Sequence, residues 1–246
     1  MTRRLRITVE YDGTDFEGWQ RQAPAHRTVQ EVLERAIVEV LGEACVVAGA
    51  GRTDAGVHAR AQVASFATET TIPVHGVIKA LNAALPADVA VRDGEDVDVG
   101  FDARRAARGK HYAYRIWNRP ERSPLHRRTS WHVRRPLDLD AMRRGAAPLL
   151  GEHDFSAFRA AGCTARSPVR TLRRVDVSGT DLVTIDFEAT AFLRHMVRNL
   201  AGTLVEVGLG ARSADDVADI LAGRDRTRAG RTAPAHGLTL ERVYYG

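Results

Sequence analysis

Along this 246-residue chain the hydrophobic period switches repeatedly between two residues and about 3.6, and turn signals punctuate the switches. Residues 5–11 (LRITVEY) alternate and run into Asp12-Gly13-Thr14, which predicts a strand entering a turn. Thr28-Val29-Gln30-Glu31 has the form of a capping box, with Thr28 at the N-cap and Glu31 at the third helical position. Behind it, Val29, Val32, Leu33, Ala36, Ile37, Val40 and Leu41 share one helical face up to Gly42. Extended runs are expected at 46–50, 62–67 and 89–92, and a helix over 74–85 closed by Pro86. The first half therefore reads β-α-β-β-α-β.

The second half repeats the mixture without repeating the sequence. Residues 110–117 (KHYAYRIW) and 130–134 alternate, and 138–150 has helical spacing. Residues 170–177 and 182–189 read as a hairpin about Ser178-Gly179-Thr180-Asp181. A long helix is expected over 192–207, another from 213 to 221, and a last strand over 238–244. Hairpins mixed with helices imply an α+β fold with mainly antiparallel sheet and helices on one face. A composition shift near 100–108 divides the chain into an N-terminal α+β domain, 1–104, and a C-terminal α+β domain, 105–246, without a Gly/Ser/Pro-rich linker.

Charge narrows the function classes. Residues 1–100 carry 10 Lys+Arg against 15 Asp+Glu, whereas 101–246 carry 26 against 16. The window 101–135 holds 11 basic residues and two acids, and only Lys79 and Lys110 of the 36 basic residues are lysine. Guanidinium groups suit bidentate phosphate contacts, so the uneven distribution points to a polyanionic partner. No run of 18 apolar residues is present and MTRRLRITVEY enters a strand pattern directly, so neither a membrane span nor a signal peptide is expected. Cys45 and Cys163 lack CxxC partners and read as reduced thiols of a cytoplasmic protein.

The chemistry concentrates in residues 49–66, GAGRTDAGVHARAQVASF. Asp54 stands between Arg52 and His58, bracketed by glycines, with Arg60 beyond. Gly56 and Val57 oppose a helix, so Asp54 and His58 are not expected to form an i,i+4 metal pair, and no third ligand is near. An ionised aspartate among cations can act as a nucleophile at carbon; the plainer alternative is an Asx turn. ITVEYDGTDF resembles the DxDGT loop of haloacid-dehalogenase-like phosphatases, but Glu10 stands at the nucleophile position and the chain lacks βαβ alternation. No nucleophile-elbow pattern places a serine for a Ser/His/Asp triad. Tyr112 and Tyr114 share one face of a cation-flanked strand, as a base-stacking platform would. Arg194 and Arg198 fall one turn apart on the expected 192–207 helix, where one could partner a catalytic acid.

Taken in order, YDGTDFEGWQRQ (11–22), GRTDAGVHARAQ (51–62), FDARRAARGKHYAYRIWN (101–118), EHDFSAF (152–158), FLRHMVRNLAGTLVEVG (192–208) and RTAPAHGLTLERVYY (231–245) resemble the bacterial tRNA pseudouridine synthase A family over essentially the whole length. The resemblance implies isomerisation of uridine to pseudouridine in the tRNA anticodon arm, at positions 38, 39 and 40, without cofactor or metal. It makes Asp54 the catalytic nucleophile, Arg52 the residue that displaces the target base, Tyr112 the ring that stacks on the uracil and Arg198 the ion-pair partner of Asp54. His58, Gln62, Arg60 and Arg104 fall in or beside the matching motifs as substrate-binding candidates. Attack at C1′, attack at C6 and glycal formation all remain open. The resemblance further implies two domains whose sheets abut, an active-site cleft between them, and a homodimer. A non-catalytic tRNA-binding protein is the alternative.

Overall fold

The computed structural model describes residues 2–23 and 26–246, and the fold is α+β. In chain order the elements are β1 (Arg3–Tyr11), α1 (Val29–Leu41), β2 (Ala48–Gly49), β3 (His58–Thr68), α2 (Val74–Ala84), β4 (Val89–Val97), β5 (Ala107–Trp117), β6 (Trp131–His132), α3 (Leu139–Ala146), β7 (Gly151–Asp154), β8 (Val169–Ser178), β9 (Leu182–Ala189), α4 (Met196–Gly208), α5 (Asp216–Gly223) and β10 (Leu238–Tyr245). They fall into two compact units, one of Met1–Arg108 with Leu240–Gly246 and one of Gly109–Thr239. The last strand thus returns to the first unit, away from the division at 104/105 that composition suggests.

In the first unit the strand order is β4-β1-β3-β10, with β2 added to β3. β1 runs antiparallel to both β3 and β4. Leu5, Ile7 and Val9 of β1 are fully buried, as are Leu33 and Ile37 of α1 and Val77 and Leu81 of α2, so alternation on the strand and helical spacing feed one core. Thr28 caps α1 as expected, with Glu31 N donating to Thr28 Oγ1 at 3.4 Å, and Gly42 closes the helix at φ 69°. β4 extends five residues past the expected 89–92, through Asp93-Gly94-Glu95-Asp96-Val97. Its acids hide the strand pattern because they pair outward, Asp96 with Arg3 at 2.8 Å and Glu95 with Arg6. Charged outward residues are how an edge strand discourages further pairing. In the opposite direction, the expected strand over 46–50 contracts to Ala48–Gly49, and Val46 is 71% exposed.

In the second unit the order is β5-β9-β8-β7, antiparallel in the β5/β9, β8/β9 and β7/β8 pairs, while β6 pairs in parallel with β5. The hairpin turns at Gly179, whose φ of 94° suits the absence of a side chain. The expected helix over 138–150 ends at Ala146 and passes into a 3₁₀ turn, Ala147–Leu149, because Pro148 cannot donate to the helical ladder. The expected 192–207 helix begins only at Met196. His195 occupies the left-handed region at φ 60° and breaks the run, so Arg194 lies outside the helix and the one-turn pairing with Arg198 does not exist. None of the helices is long and apolar enough among the described residues to cross a membrane.

Candidate active site

The Asp54 loop joins β2 to β3 and is anchored from several directions. Trp19 N donates to Thr53 O at 3.1 Å, Gly56 N to Phe16 O at 3.2 Å and Ala50 N to Val63 O at 2.7 Å. The buried Tyr11 hydroxyl meets Thr53 Oγ1 at 2.7 Å, and burial raises that phenol's pKa far above its ordinary value despite the hydrogen bonds. Val57 N closes back on Asp54 O at 3.1 Å, a four-residue turn with Gly56 at φ 77° in its third position, where glycine carries no steric penalty. Asp54 itself stays partly exposed at the start of that turn.

The loop is therefore clamped by the segment after β1. Gly13 and Gly18 make the close approach possible: a Cβ on Gly13 would stand 2.0 Å from Val57 O, and one on Gly18 2.8 Å from Thr53 O. The two most distinctive stretches, 11–22 and 51–62, are one structural piece, a relation that separate motifs do not reveal. This also disposes of the phosphatase-like reading. Asp12 Oδ1 accepts from Thr14 N at 3.0 Å and Thr14 Oγ1 at 2.6 Å as the cap of a 3₁₀ turn, Glu10 pairs with Arg92, and β1 has antiparallel neighbours on both sides.

His58 and Gln62 lie beneath the loop. His58 is 5% exposed and its Nδ1 accepts from Gly13 N at 3.0 Å. Asp12 Oδ1 also lies 3.1 Å from that nitrogen. Gln62 is fully buried and donates Nε2 to Gly51 O at 2.8 Å. Gln62 thus ties to the loop directly, and His58 to the Gly13 segment that clamps it. Arg52, Arg60 and Arg104 are exposed. Arg52 Nε donates to Gln20 Oε1 at 3.1 Å, Arg60 Nε lies 3.5 Å from Glu241, and Arg104 N caps onto Asp102 Oδ1 at 2.9 Å.

In the second unit, Arg198 sits in the first turn of α4. Its Nε donates to Ala233 O at 2.8 Å while Ala233 N donates to Arg198 O at 3.0 Å, which fixes the guanidinium plane. The segment bearing Ala233 is held in turn by fully buried Asn199, whose Oδ1 accepts from Thr232 Oγ1 at 2.7 Å and Arg226 Nη2 at 3.0 Å. Asn199 Nδ2 donates to Phe158 O at 2.7 Å. Gly202 lets the same segment approach, since a Cβ there would meet Arg231 O at 1.8 Å. Neither Asn199 nor Arg226 was visible as a functional support; the only signal is a polar residue on a helical face that is otherwise buried.

Tyr112 on β5 is 7% exposed and packs edge-on against Phe192 at 5.2 Å between ring centroids. The expected two-tyrosine platform does not exist. Tyr114 is fully buried, donates its hydroxyl to Pro234 O at 2.9 Å, packs edge-on against Trp131, and has its pKa pushed up by that burial. The period of two puts both rings on one face, and the depth of the unit's core decides between them. Arg119, Arg122, Arg127, Arg128, Arg134 and Arg135 all remain exposed, preserving the basic character of the 101–135 window. Among the described residues, no group of three or more His, Cys, Asp or Glu side chains is placed to hold a metal ion.

The tRNA pseudouridine synthase family model matches residues 7–104 and 146–246. The chain belongs to this family. Among its relatives, the tRNA pseudouridine synthase A of Myxococcus xanthus is 55% identical over 244 residues, covering 98% of this chain and 92% of that protein. The tRNA pseudouridine synthase A proteins of Syntrophotalea carbinolica and Acetivibrio thermocellus are 50% and 46% identical, covering 98% and 99% of this chain and 96% and 100% of their own lengths. The family match takes in Arg52, Asp54, His58, Arg60, Gln62, Arg104 and Arg198, whereas Tyr112 falls in the interval between its two stretches.

Proposed function

We propose that this chain is a tRNA pseudouridine synthase, an isomerase that converts uridines of the anticodon arm, at positions 38, 39 and 40, to pseudouridine. The observation that carries the reading is a carboxylate-bearing turn, Asp54–Val57, fixed by backbone hydrogen bonds on a loop that lies within the family match. The reaction breaks the N1–C1′ bond, turns the uracil and joins C5 to C1′; the C5 proton is lost to solvent and N1 takes up a proton, so composition is unchanged. It needs neither an electron acceptor nor a phosphoryl group, so a single well-held carboxylate is a sufficient nucleophile.

Asp54 supplies that carboxylate. Arg198, with its guanidinium plane set by Ala233, is the ion-pair partner of that carboxylate, and Tyr112 holds the detached base by its ring. Extracting a uridine from a stack costs a few kcal/mol. Arg52 offsets part of this by occupying the vacated position, while Arg60, Arg104 and the exposed arginines of the second unit hold phosphates. His58 and Gln62 serve from beneath, as supports of the loop. Homodimer formation and a cytoplasmic location complete the reading.

The test is tritium release from tRNA carrying [5-³H]uridine, measured without added metal for the wild type and Asp54→Asn. The wild type releases tritium and Asp54→Asn does not, while its tRNA affinity stays within about threefold, since its charge change is small against the many phosphate contacts that govern affinity. Tritium release by Asp54→Asn at a rate near wild type would remove Asp54 from the mechanism. Absence of release from both proteins, with tRNA bound, would leave a non-catalytic tRNA-binding protein.

A further inference from the structure

One buried carboxylate of α1 is linked to Arg52 through two intervening side chains. Glu34 is 6% exposed and Gln30 is 4% exposed, one helical turn apart. Glu34 Oε1 accepts from Gln30 Nε2 at 3.0 Å and from Val47 N at 3.1 Å, and its Oε2 accepts from Arg21 Nη1 at 2.8 Å. Gln30 Nε2 also donates to Val47 O at 3.1 Å. The Gln30 amide can point only one way, because a flip would aim its carbonyl oxygen at a carboxylate and a carbonyl. Its oxygen accordingly accepts from Arg21 N at 2.9 Å and Gln20 Nε2 at 2.6 Å.

That second bond orients the next amide. With Nε2 committed to Gln30, the Gln20 oxygen faces outward and accepts from Arg52 Nε at 3.1 Å. Each link presents an acceptor to the next donor, so the sense of the chain is set by the charge at its buried end. Arg52 is an exposed, long side chain that would otherwise sample several rotamers and lose that freedom only on binding. Held by Nε, its guanidinium enters the reaction already turned. The same carboxylate and the same Gln30 oxygen grip Arg21, so a second exposed guanidinium is tied to the network.

We propose that Gln20 is a positioning residue for Arg52, with Gln30 and Glu34 setting the orientation of its amide. This rests on the reading that Arg52 displaces the target base. Gln20 acts through Arg52, so its loss should slow the step in which the base leaves the stack without removing a phosphate contact.

The experiment compares wild type, Gln20→Met, Gln20→Asn, Arg52→Met and the Gln20→Met/Arg52→Met double variant. Single-turnover tritium release at saturating enzyme, tRNA affinity and thermal unfolding are measured for each. Gln20→Met keeps the side-chain length and removes both hydrogen-bonding ends; Gln20→Asn keeps the amide, so it folds readily, but is one methylene too short to bridge Gln30 and Arg52. Both should release tritium about tenfold more slowly than wild type, a loss in the range expected for a misplaced group. Affinity should stay within about threefold, since no phosphate contact is lost, and the double variant should be no slower than Arg52→Met alone. Wild-type rates for both Gln20 variants, or single losses that multiply in the double variant, would overturn the positioning role. Wild-type release by Arg52→Met would instead overturn the base-displacement role of Arg52 on which the proposal rests.

Discussion

Gly13→Ala tests whether the clamp on the Asp54 loop governs catalysis. Gly13 is buried in the 3₁₀ turn after β1, and its φ is not in the left-handed region, so alanine fits its backbone conformation. The conflict is one of contact. The new methyl carbon would stand 2.0 Å from Val57 O and 2.5 Å from Val57 C, both backbone atoms that no side-chain rotation can move aside. Reaching even the 3.0 Å floor of real Cβ contacts requires a separation of at least 1.0 Å between the two segments. Val57 N is hydrogen-bonded to Asp54 O and Gly13 N to His58 Nδ1, so the movement passes directly into the turn that carries the carboxylate. A displacement of about 1 Å at a reacting group costs on the order of a hundredfold in rate, and overpacking of this kind costs about 1–3 kcal/mol in stability. Tritium release should therefore fall about a hundredfold while urea unfolding remains cooperative with a modestly lowered midpoint. Gly42→Ala is the control. At φ 69° with nothing within 4 Å of its added carbon, it should lose about 1 kcal/mol of stability and no activity. A Gly13→Ala protein that turns over within threefold of wild type would refute the idea that this contact sets the position of Asp54.

Asn199→Ala should destabilise the protein by about 3 kcal/mol, because it strips partners from Arg226, Thr232 and Phe158 O in a buried setting. It should also slow tritium release, since the segment that holds Arg198 through Ala233 loses its anchor; a wild-type urea midpoint would contradict this. The two thiols should differ in reactivity. Burial, with Glu34 and Glu43 nearby, pushes Cys45 up to about 11, whereas at Cys163 burial is outweighed by backbone hydrogen bonds from Ala165 and Arg194 and by Arg159 and Arg170, which lower its pKa. Iodoacetamide at pH 8 should label Cys163 first, as peptide mass spectrometry would show, and equal labelling would contradict the assigned environments. Asp186 is held below its ordinary 3.8 chiefly by the hydrogen bond from His111 at 2.6 Å. A depressed carboxylate contributes stability that is fully present above its unfolded pKa and lost as pH falls through the folded value. The urea midpoint of wild type should therefore exceed that of His111→Phe near pH 5 and converge on it below pH 3.8, and a gap that widens in acid would refute the pairing.

The sequence by itself determined the mixture of elements and the chemistry of the loop. Period two in 5–11 and the Thr28 N-cap are local features, settled by neighbours a few residues away, and both form as expected. The run GRTDAGVH announces a polar, glycine-bracketed turn for the same reason. Tertiary structure decided what local patterns cannot carry. β4 is concealed by acids whose partners lie on another strand, and the β10 segment 240–246 joins a unit more than 130 residues upstream. Tyr112 and Tyr114 are equivalent by periodicity, yet only packing depth puts Tyr114 wholly in the core. The 192–207 pattern is continuously helical in its spacing, but His195 turns left-handed and the helix starts at Met196. The supports of the site were the least legible part. Gln30, Glu34 and Asn199 are ordinary polar residues in sequence, and their meaning comes from burial, which makes every hydrogen bond obligatory, while half-buried Gln20 takes its orientation from Gln30.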